Sequence, residues 1–222
     1  MPALPQINGL LFDLDGTLVD TAPDLIEALY RALSQFKLPC LADEHYLTSV
    51  ASHGSLGLVK AAQPDLDAEH TESVRLALLE HYLSVNGDCA RVFDGIDLLL
   101  DFALQHRIKL GVVTNKPARF TRPLLTKLGL TPLMKSIISA DSTLYRKPDI
   151  QPMRLAASQL VLNPAEIAYL GDAERDIIAA RNVQMPSVLA GWGYLAEHDT
   201  PERWGADLTL NSPTDLLAFI DR

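Results

Sequence analysis

Cysteine is almost missing from these 222 residues: Cys40 and Cys89 stand alone, with no CxxC pair. Two thiols so placed build no disulfide framework, and the pattern fits a reducing compartment. Positive charge is also short. Lys and Arg number 19 against 28 Asp and Glu, a net charge of −9. That balance lacks the basic footprint of a sequence-independent nucleic-acid binder, so no nucleic-acid partner is expected. No uncharged apolar run approaches the ~20 residues that cross a bilayer, so no membrane partner is expected either. Met1 to Gly9 shows no basic region leading into an apolar stretch and a cleavage site, which makes a cytoplasmic location the expectation. The six histidines form no HExxH or similar spacing, so a zinc site is not expected. Repeats and low-complexity tracts are lacking too.

What remains is globular in kind. Hydrophobic residues make up 48% and charged residues 21%, values that support a packed core. Short apolar, β-branched runs read as buried strands at Leu10–Phe12, Ile108–Val113, Ser136–Ser139, Ile167–Leu170, Ser187–Leu189 and Leu208–Leu210. Helical spacing fills the gaps. Leu98, Leu99, Phe102 and Ala103 form one stripe, and Leu124, Leu125 and Leu128 form another, closed by Gly129. Pro152 and Pro213 suit the first turns of helices over Met153–Leu160 and Thr214–Ile220. Strands alternating with helices predict an α/β fold with a mainly parallel, Rossmann-like sheet.

One region breaks that rhythm. From Thr21 to Arg91 no strand is evident. Asp20 or Thr21 can cap a helix carrying Pro23, with Leu25, Leu29, Leu33 and Phe36 on one stripe. Val74, Leu78 and Tyr82 give a second. The expected organisation is a catalytic core of residues 1–20 and 92–222, with residues 21–91 a small helical domain inserted after the first strand. Such an insertion is a lid or an inert decoration.

Polar residues gather where the apolar runs end. Asp13 and Asp15, two apart, point to the same side of a strand end, where open α/β sheets bind ligands. Two acids so close call for a cation or a shared proton. Taken alone, the pair also reads as a solvated turn. Thr114-Asn115 ends a second run, as phosphate ligands or as helix caps. Arg146-Lys147-Pro148-Asp149 offers a cation in a rigid turn, which alone is an ordinary surface turn. Asp172 and Asp176 follow a third run, also in keeping with a helix N-terminus. Together they place polar groups at several strand ends of one chain.

The set DxDGTLxD, TN, KPD and GDxxxD, in this order, resembles the haloacid dehalogenase superfamily of phosphohydrolases. The single insertion after the first motif is similar to the small cap of its phosphoglycolate phosphatase-like group. Two departures are visible: Ile150 follows KPD where relatives often have a second Pro, and Ala173 replaces a frequently polar residue. The resemblance implies Asp13 as nucleophile, forming an aspartyl-phosphate, and Asp15 as acid and then base. It implies Mg²⁺ held by Asp13, Asp172 and the backbone carbonyl of Asp15, and Lys147 as a cation oriented by Asp176. Thr114 and the Asn115 backbone would hold phosphate. Ser52-His53-Gly54-Ser55, otherwise a plain helix–helix turn, would be the cap loop that meets substrate.

The function so implied is Mg²⁺-dependent hydrolysis of a small phosphorylated metabolite. The alternatives are a phosphosugar mutase or a non-catalytic phosphate-binding relative. Arg119, Gly191-Trp192-Gly193-Tyr194 and Trp204-Gly205-Ala206-Asp207 resemble the N-acetylmuramic acid 6-phosphate phosphatase branch. The cap loop shows two hydroxyls and an imidazole but no cation, with Lys60 or Arg119 the nearest candidates to supply one. A phosphosugar is therefore expected to suit the site better than 2-phosphoglycolate, whose carboxylate would be costly to bury unpaired.

Overall fold

The computed structural model of the protein describes residues 6–220. The chain begins its sheet with β1 (Gly9–Phe12), buried along its whole length. It leaves at once through β2 (Val19–Asp20) into four helices, α1 (Ala22–Gln35), α2 (Glu44–Ser49), α3 (Gly54–Ala62) and α4 (Ala68–Val85). It returns through β3 (Arg91–Val92), which pairs antiparallel with β2. Sequence reading missed this pair, because alternation cannot show in two residues.

After β3 the βα rhythm resumes with α5 (Ile96–Gln105), β4 (Lys109–Val113), α6 (Ala118–Lys127) and β5 (Met134–Ile138). Then come α7 (Gln151–Leu160), β6 (Ile167–Gly171), α8 (Glu174–Asn182), β7 (Ser187–Ala190), β8 (Leu208–Leu210) and α9 (Leu217–Ile220). The six longer strands form one parallel sheet in the order β5-β4-β1-β6-β7-β8. Winding runs outward from β1 to β5 and then, on the other side, from β6 to β8. The reversal beside β1 opens a crevice at the carboxyl edge, where such sheets bind ligands.

Both faces are covered, which explains the near-continuous apolar runs. Leu10 and Phe12 join Leu110, Val112, Leu170 and Val188 in one cluster, whereas Leu11 joins Val113, Ile138 and Tyr169 in the other. Burying each such Leu, Val or Phe contributes about 1.5–3 kcal/mol. The stripe of α5 is shifted from expectation. Ile96, Leu99, Leu100 and Ala103 face inward, while Leu98 is exposed and Phe102 half-buried. Ile96 starts the i, i+3, i+4, i+7 series and so sets the face. Pro213 opens a short 3₁₀ turn ahead of α9, in place of the continuous helix expected there.

The four helices of the insertion have their own apolar core. Leu25, Leu29 and Leu33 meet Val74, Leu78 and Tyr82, as their spacing predicts. Phe36 lies past the end of α1 and is over a third exposed. Phe120, Tyr194 and Ala196 of the sheet region complete this cluster. Among the described residues, no helix is long and apolar enough to cross a membrane.

Candidate active site

The site is built at the carboxyl edge of β1, β4 and β6. Asp13 follows β1, and its backbone N–H still donates to Leu170 O at 2.8 Å. The chain then folds tightly, with Val19 N–H donating to Leu14 O at 2.9 Å and Gly16 at φ +80°. A Cβ at Gly16 would overlap the Asp172 carboxylate, and one at Gly193 would strike the same residue from the opposite loop. These two glycines let backbone close around Asp172, which follows β6.

Lys147 is buried in the centre. Its Nζ is 2.9 Å from Asp13 Oδ1 and 2.8 Å from Asp176 Oδ1. It also donates toward Tyr169 Oη at 2.7 Å and Val113 O at 2.9 Å. Asn115 holds the backbone of Lys147 from both sides: Oδ1 accepts from Lys147 N and Nδ2 donates to Lys147 O, each at 3.0 Å. The Asn115 side chain is therefore committed to positioning, and only its backbone is left for a substrate. Thr114 is buried in the wall, its Oγ1 accepting from Lys116 N at 3.1 Å.

Asp13, Asp172 and Asp176 bring carboxylate oxygens within 4.8 Å of one another. Asp15, expected in this acid cluster, sends its side chain elsewhere; only its backbone carbonyl is a candidate donor here. Burial alone would raise the pKa of Asp13, but Lys147, Arg175 and the Leu14 N–H hold it below its ordinary value. Asp172 is pushed up to about 7, by burial first and then by the charges of Asp13 and Asp176, against the Ser52 hydrogen bond. Burial raises Asp176 as well, against the pull of Lys147. Three carboxylates here face two cations, Lys147 and Arg175, so positive charge is short. The donor atoms are all oxygen. That combination fits a hard divalent cation such as Mg²⁺.

Asp15 belongs to a second centre. Its Oδ1 accepts from Thr21 Oγ1 at 2.6 Å and from Lys116 Nζ at 2.7 Å. Thr21 thus precedes α1 without capping it by its side chain. Burial opposes the charge on Lys116, but Asp15 and Tyr82 keep its pKa above the usual lysine value. Its Nζ sits 4.5 Å from the Tyr82 ring centroid. Burial drives the Tyr82 hydroxyl up to about 12, against Lys116.

A cavity of about 750 Å³ joins the two centres, lined by Asp13, Asp15, Thr114, Asn115, Lys147 and, from the helices, Ser52, His53 and Gly54. The cap turn is a short 3₁₀ helix, Ala51–His53, leading into α3. Ser52 Oγ donates to Asp172 Oδ2 at 2.5 Å, and Arg175 Nη2 donates to Ser52 O at 2.9 Å. The cap loop carries no cation of its own, but neighbouring segments supply several, and not the two expected. Arg75, Lys116, Arg146 and Arg175 all line the cavity, while Lys60 and Arg119 do not. Arg119 lies over the Phe120 ring at 4.6 Å instead. Lys116 and Arg175 sat in plain view, one residue past Thr114-Asn115 and inside the Asp172–Asp176 motif, but the burial of the first and the half-burial of the second were not legible.

Tyr194 was visible only as part of a resembling run. Its Oη accepts from Thr21 N at 2.7 Å and Ala22 N at 2.9 Å, and donates to Asp20 Oδ1 at 2.7 Å. Its backbone N–H donates to Asp172 Oδ2 at 3.0 Å. One residue therefore joins the start of α1 to the acid cluster. Trp192 Nε1 donates to Thr17 O at 3.0 Å and braces the same loop.

Comparison with known proteins points the same way. Residues 10–190 match the profile described as haloacid dehalogenase-like hydrolase. The chain is 36% identical over 220 residues to the N-acetylmuramic acid 6-phosphate phosphatase of Pseudomonas putida, covering 97% of each. It is 38% identical over 209 residues to the phosphoglycolate phosphatase of Xanthomonas campestris pv. campestris, covering 94% of each. A crystal structure of a predicted phosphoglycolate phosphatase from Haemophilus somnus superposes with a TM-score of 0.84 at 26% identity, covering 96% of this chain and 98% of that one.

Proposed function

The chain belongs to the haloacid dehalogenase-like hydrolase family, and from that premise we propose that it hydrolyses a small phosphate monoester through Asp13. The single observation that carries this reading is the Asp13–Lys147–Asp176 cluster, whose Asp13 and Lys147 line the cavity. Asp13 is a buried anion 2.9 Å from the fixed Lys147 ammonium, and its lowered pKa keeps it ionised and nucleophilic. One Asp13 oxygen forms a bond to phosphorus as the ester P–O bond breaks, leaving an aspartyl-phosphate and an alcohol. Asp15 supplies the proton to the leaving oxygen. Water then attacks the phosphorus, Asp15 takes its proton, and Asp13 is released with free phosphate.

Thr114 and the Asn115 backbone orient the phosphate, and Lys147 and Arg175 offset its charge. Asp13, Asp172 and the Asp15 carbonyl would hold Mg²⁺, which when bound offsets negative charge on the phosphoryl oxygens. Asp176 is taken up by Lys147 and by the Ala173 N–H at 3.1 Å, and so positions rather than ligates. Residues 21–91 act as a cap over the core of 1–20 and 92–222, with Ser52, His53 and Gly54 presented to the substrate. A cytoplasmic setting suits two unpaired thiols, Cys40 and Cys89.

Substrate choice now rests on size. A two-carbon ester such as 2-phosphoglycolate leaves most of a 750 Å³ cavity unfilled, a volume typical of much larger ligands. A sugar 6-phosphate such as N-acetylmuramic acid 6-phosphate fills it better, and the lining arginines answer a carboxylate on either compound. The test is kcat/KM for both esters under identical Mg²⁺, with chelated controls. The phosphosugar should win and chelation should abolish both activities. A lead of about tenfold for phosphoglycolate, or ~1.4 kcal/mol, overturns the phosphosugar reading. Full activity in excess chelator overturns the metal reading.

A further inference from the structure

Beside the catalytic cavity lies a smaller one of about 240 Å³, lined by Ser52, His53, Asp172, Glu174, Asp199 and Trp204 among others. At its rim His53, His198 and Asp199 bring one ligand atom each within 4.8 Å of one another. We propose that these three side chains form a second metal site, for a borderline cation such as Zn²⁺, that ties the helical insertion to the sheet region.

The donors come from the two parts that must separate for a lid to open. His53 ends the 3₁₀ turn of the insertion. His198 and Asp199 lie in the loop after β7. Both imidazoles are exposed and, among the described residues, neither makes a hydrogen bond. Their rings are 6.0 Å apart and tilted by 42°, which leaves the ring nitrogens unencumbered by stacking. Asp199 is half-buried and already oriented, because its Oδ2 accepts from Ala196 N at 2.8 Å. That hydrogen bond does for Asp199 what outer-shell contacts do for metal ligands in general.

Tetrahedral zinc with ligands at roughly 2.0–2.1 Å puts donor atoms about 3.3 Å apart. Rotation of exposed side chains closes the present spread to that spacing. Two nitrogens and one oxygen favour Zn²⁺ over Mg²⁺, whereas the all-oxygen set at Asp13 and Asp172 favours the reverse. The two sites therefore sort cations by donor chemistry. The charged groups around the new one are Arg175 on the sheet side and Asp172 and Glu174 in the same cavity. Sequence spacing gave no sign of this cluster because its members come from distant segments.

The consequence is inhibitory. His53 is next to Ser52, whose hydroxyl and carbonyl already bind Asp172 and Arg175. A metal on His53, His198 and Asp199 would fix that turn over the site and slow entry and release. This consequence rests on the phosphatase reading; the binding itself does not.

The test is calorimetric titration of Zn²⁺ into the full chain held in excess Mg²⁺, paired with Zn²⁺ inhibition of phosphate release. The expected result is one Zn²⁺ per chain, with binding weakened about tenfold or more in His198→Ala and in Asp199→Asn. His198→Ala should keep its basal activity and lose the same factor in sensitivity to Zn²⁺. Zn²⁺ binding that both variants retain, or no binding at all, overturns the site. Binding lost in His198→Ala with inhibition unchanged overturns the clamp, since zinc would then act at the catalytic acids. Failure of phosphatase activity altogether leaves the calorimetric arm to decide the site alone.

Discussion

Asp13 and Asp15 stand two residues apart, each with a lysine ammonium within 3 Å, yet they serve different walls of one cavity. The Asp13 wall is sheet. Lys147, Asp176 and Tyr169 surround it, every one buried and supplied by the loop after β5, by the first turn of α8 and by β6. The Asp15 wall is shared with the helices. Lys116 reaches it under the Tyr82 ring of α4, and Thr21 at the root of α1 donates to it. The difference teaches how the proposed reaction divides its groups between the sheet and the helical insertion. A nucleophile must be fixed to better than an ångström against phosphorus. Under the proposed mechanism the proton-transfer group, Asp15, is instead held from both the sheet and the helical insertion.

The sharpest way to break the comparison is at Asp13. Asp13→Asn keeps the shape and a hydrogen-bond acceptor for Lys147 but removes the proposed nucleophile. Turnover should fall by about 10³-fold or more, because nothing else there can form the covalent intermediate. Phosphate-release kinetics beside a circular dichroism spectrum would check this. Wild-type-like turnover from the folded variant would falsify the role.

A smaller effect separates the acids of the sheet wall by sign. Asp172 is raised from its usual 3.8 to about 7 without metal. Its contribution to stability is then full below about pH 4 and is lost as pH rises to about 7. Asp13 is lowered, so its contribution is present above its ordinary pKa and is lost as pH falls through the depressed value. A divalent cation favours the Asp172 anion. The rise in Tm on adding Mg²⁺ to chelated protein should therefore be larger at pH 8 than at pH 5.5. Asp172→Asn should flatten that dependence. An Mg²⁺ effect equal at both pH values counts against Asp172 as a ligand.

The smallest effect belongs to the joint between the walls. Tyr194→Phe removes the hydroxyl that accepts from Thr21 and Ala22 and donates to Asp20. Stability should fall by about 1–3 kcal/mol, the range for stranded buried polar groups. The apolar packing against Phe93, at a ring separation of 6.1 Å, remains. Denaturant midpoints would read the loss, and an unchanged midpoint would mean that water replaces the hydroxyl.

The strand runs and the motif acids were legible because they obey local rules. Buried parallel strands must be apolar on both faces, and chemistry must sit at their ends. Asp13, Lys147, Asp172 and Asp176 are brought together as that logic requires. Less was legible in the helices. The α5 face was off by the choice of starting residue, and the β2–β3 pair was too short to carry a pattern. The Asn115 backbone was read as a phosphate ligand, but the role of its side-chain amide was not legible: it grips Lys147, a partner 32 residues away that periodicity does not reveal.

By itself, then, the sequence determined the α/β alternation, the helical interruption and the acids at the strand ends, since each depends on neighbours within a few residues. Tertiary structure alone decided the electrostatics. It turned Asp15 away from the other acids toward Lys116, set half-buried Arg175 beside Asp13, and brought cations to a cap loop that has none of its own. It also placed His53 beside His198 and Asp199. The physical reason is that charge interactions depend on distance through space and on burial. Neither is written in the spacing of residues along a chain.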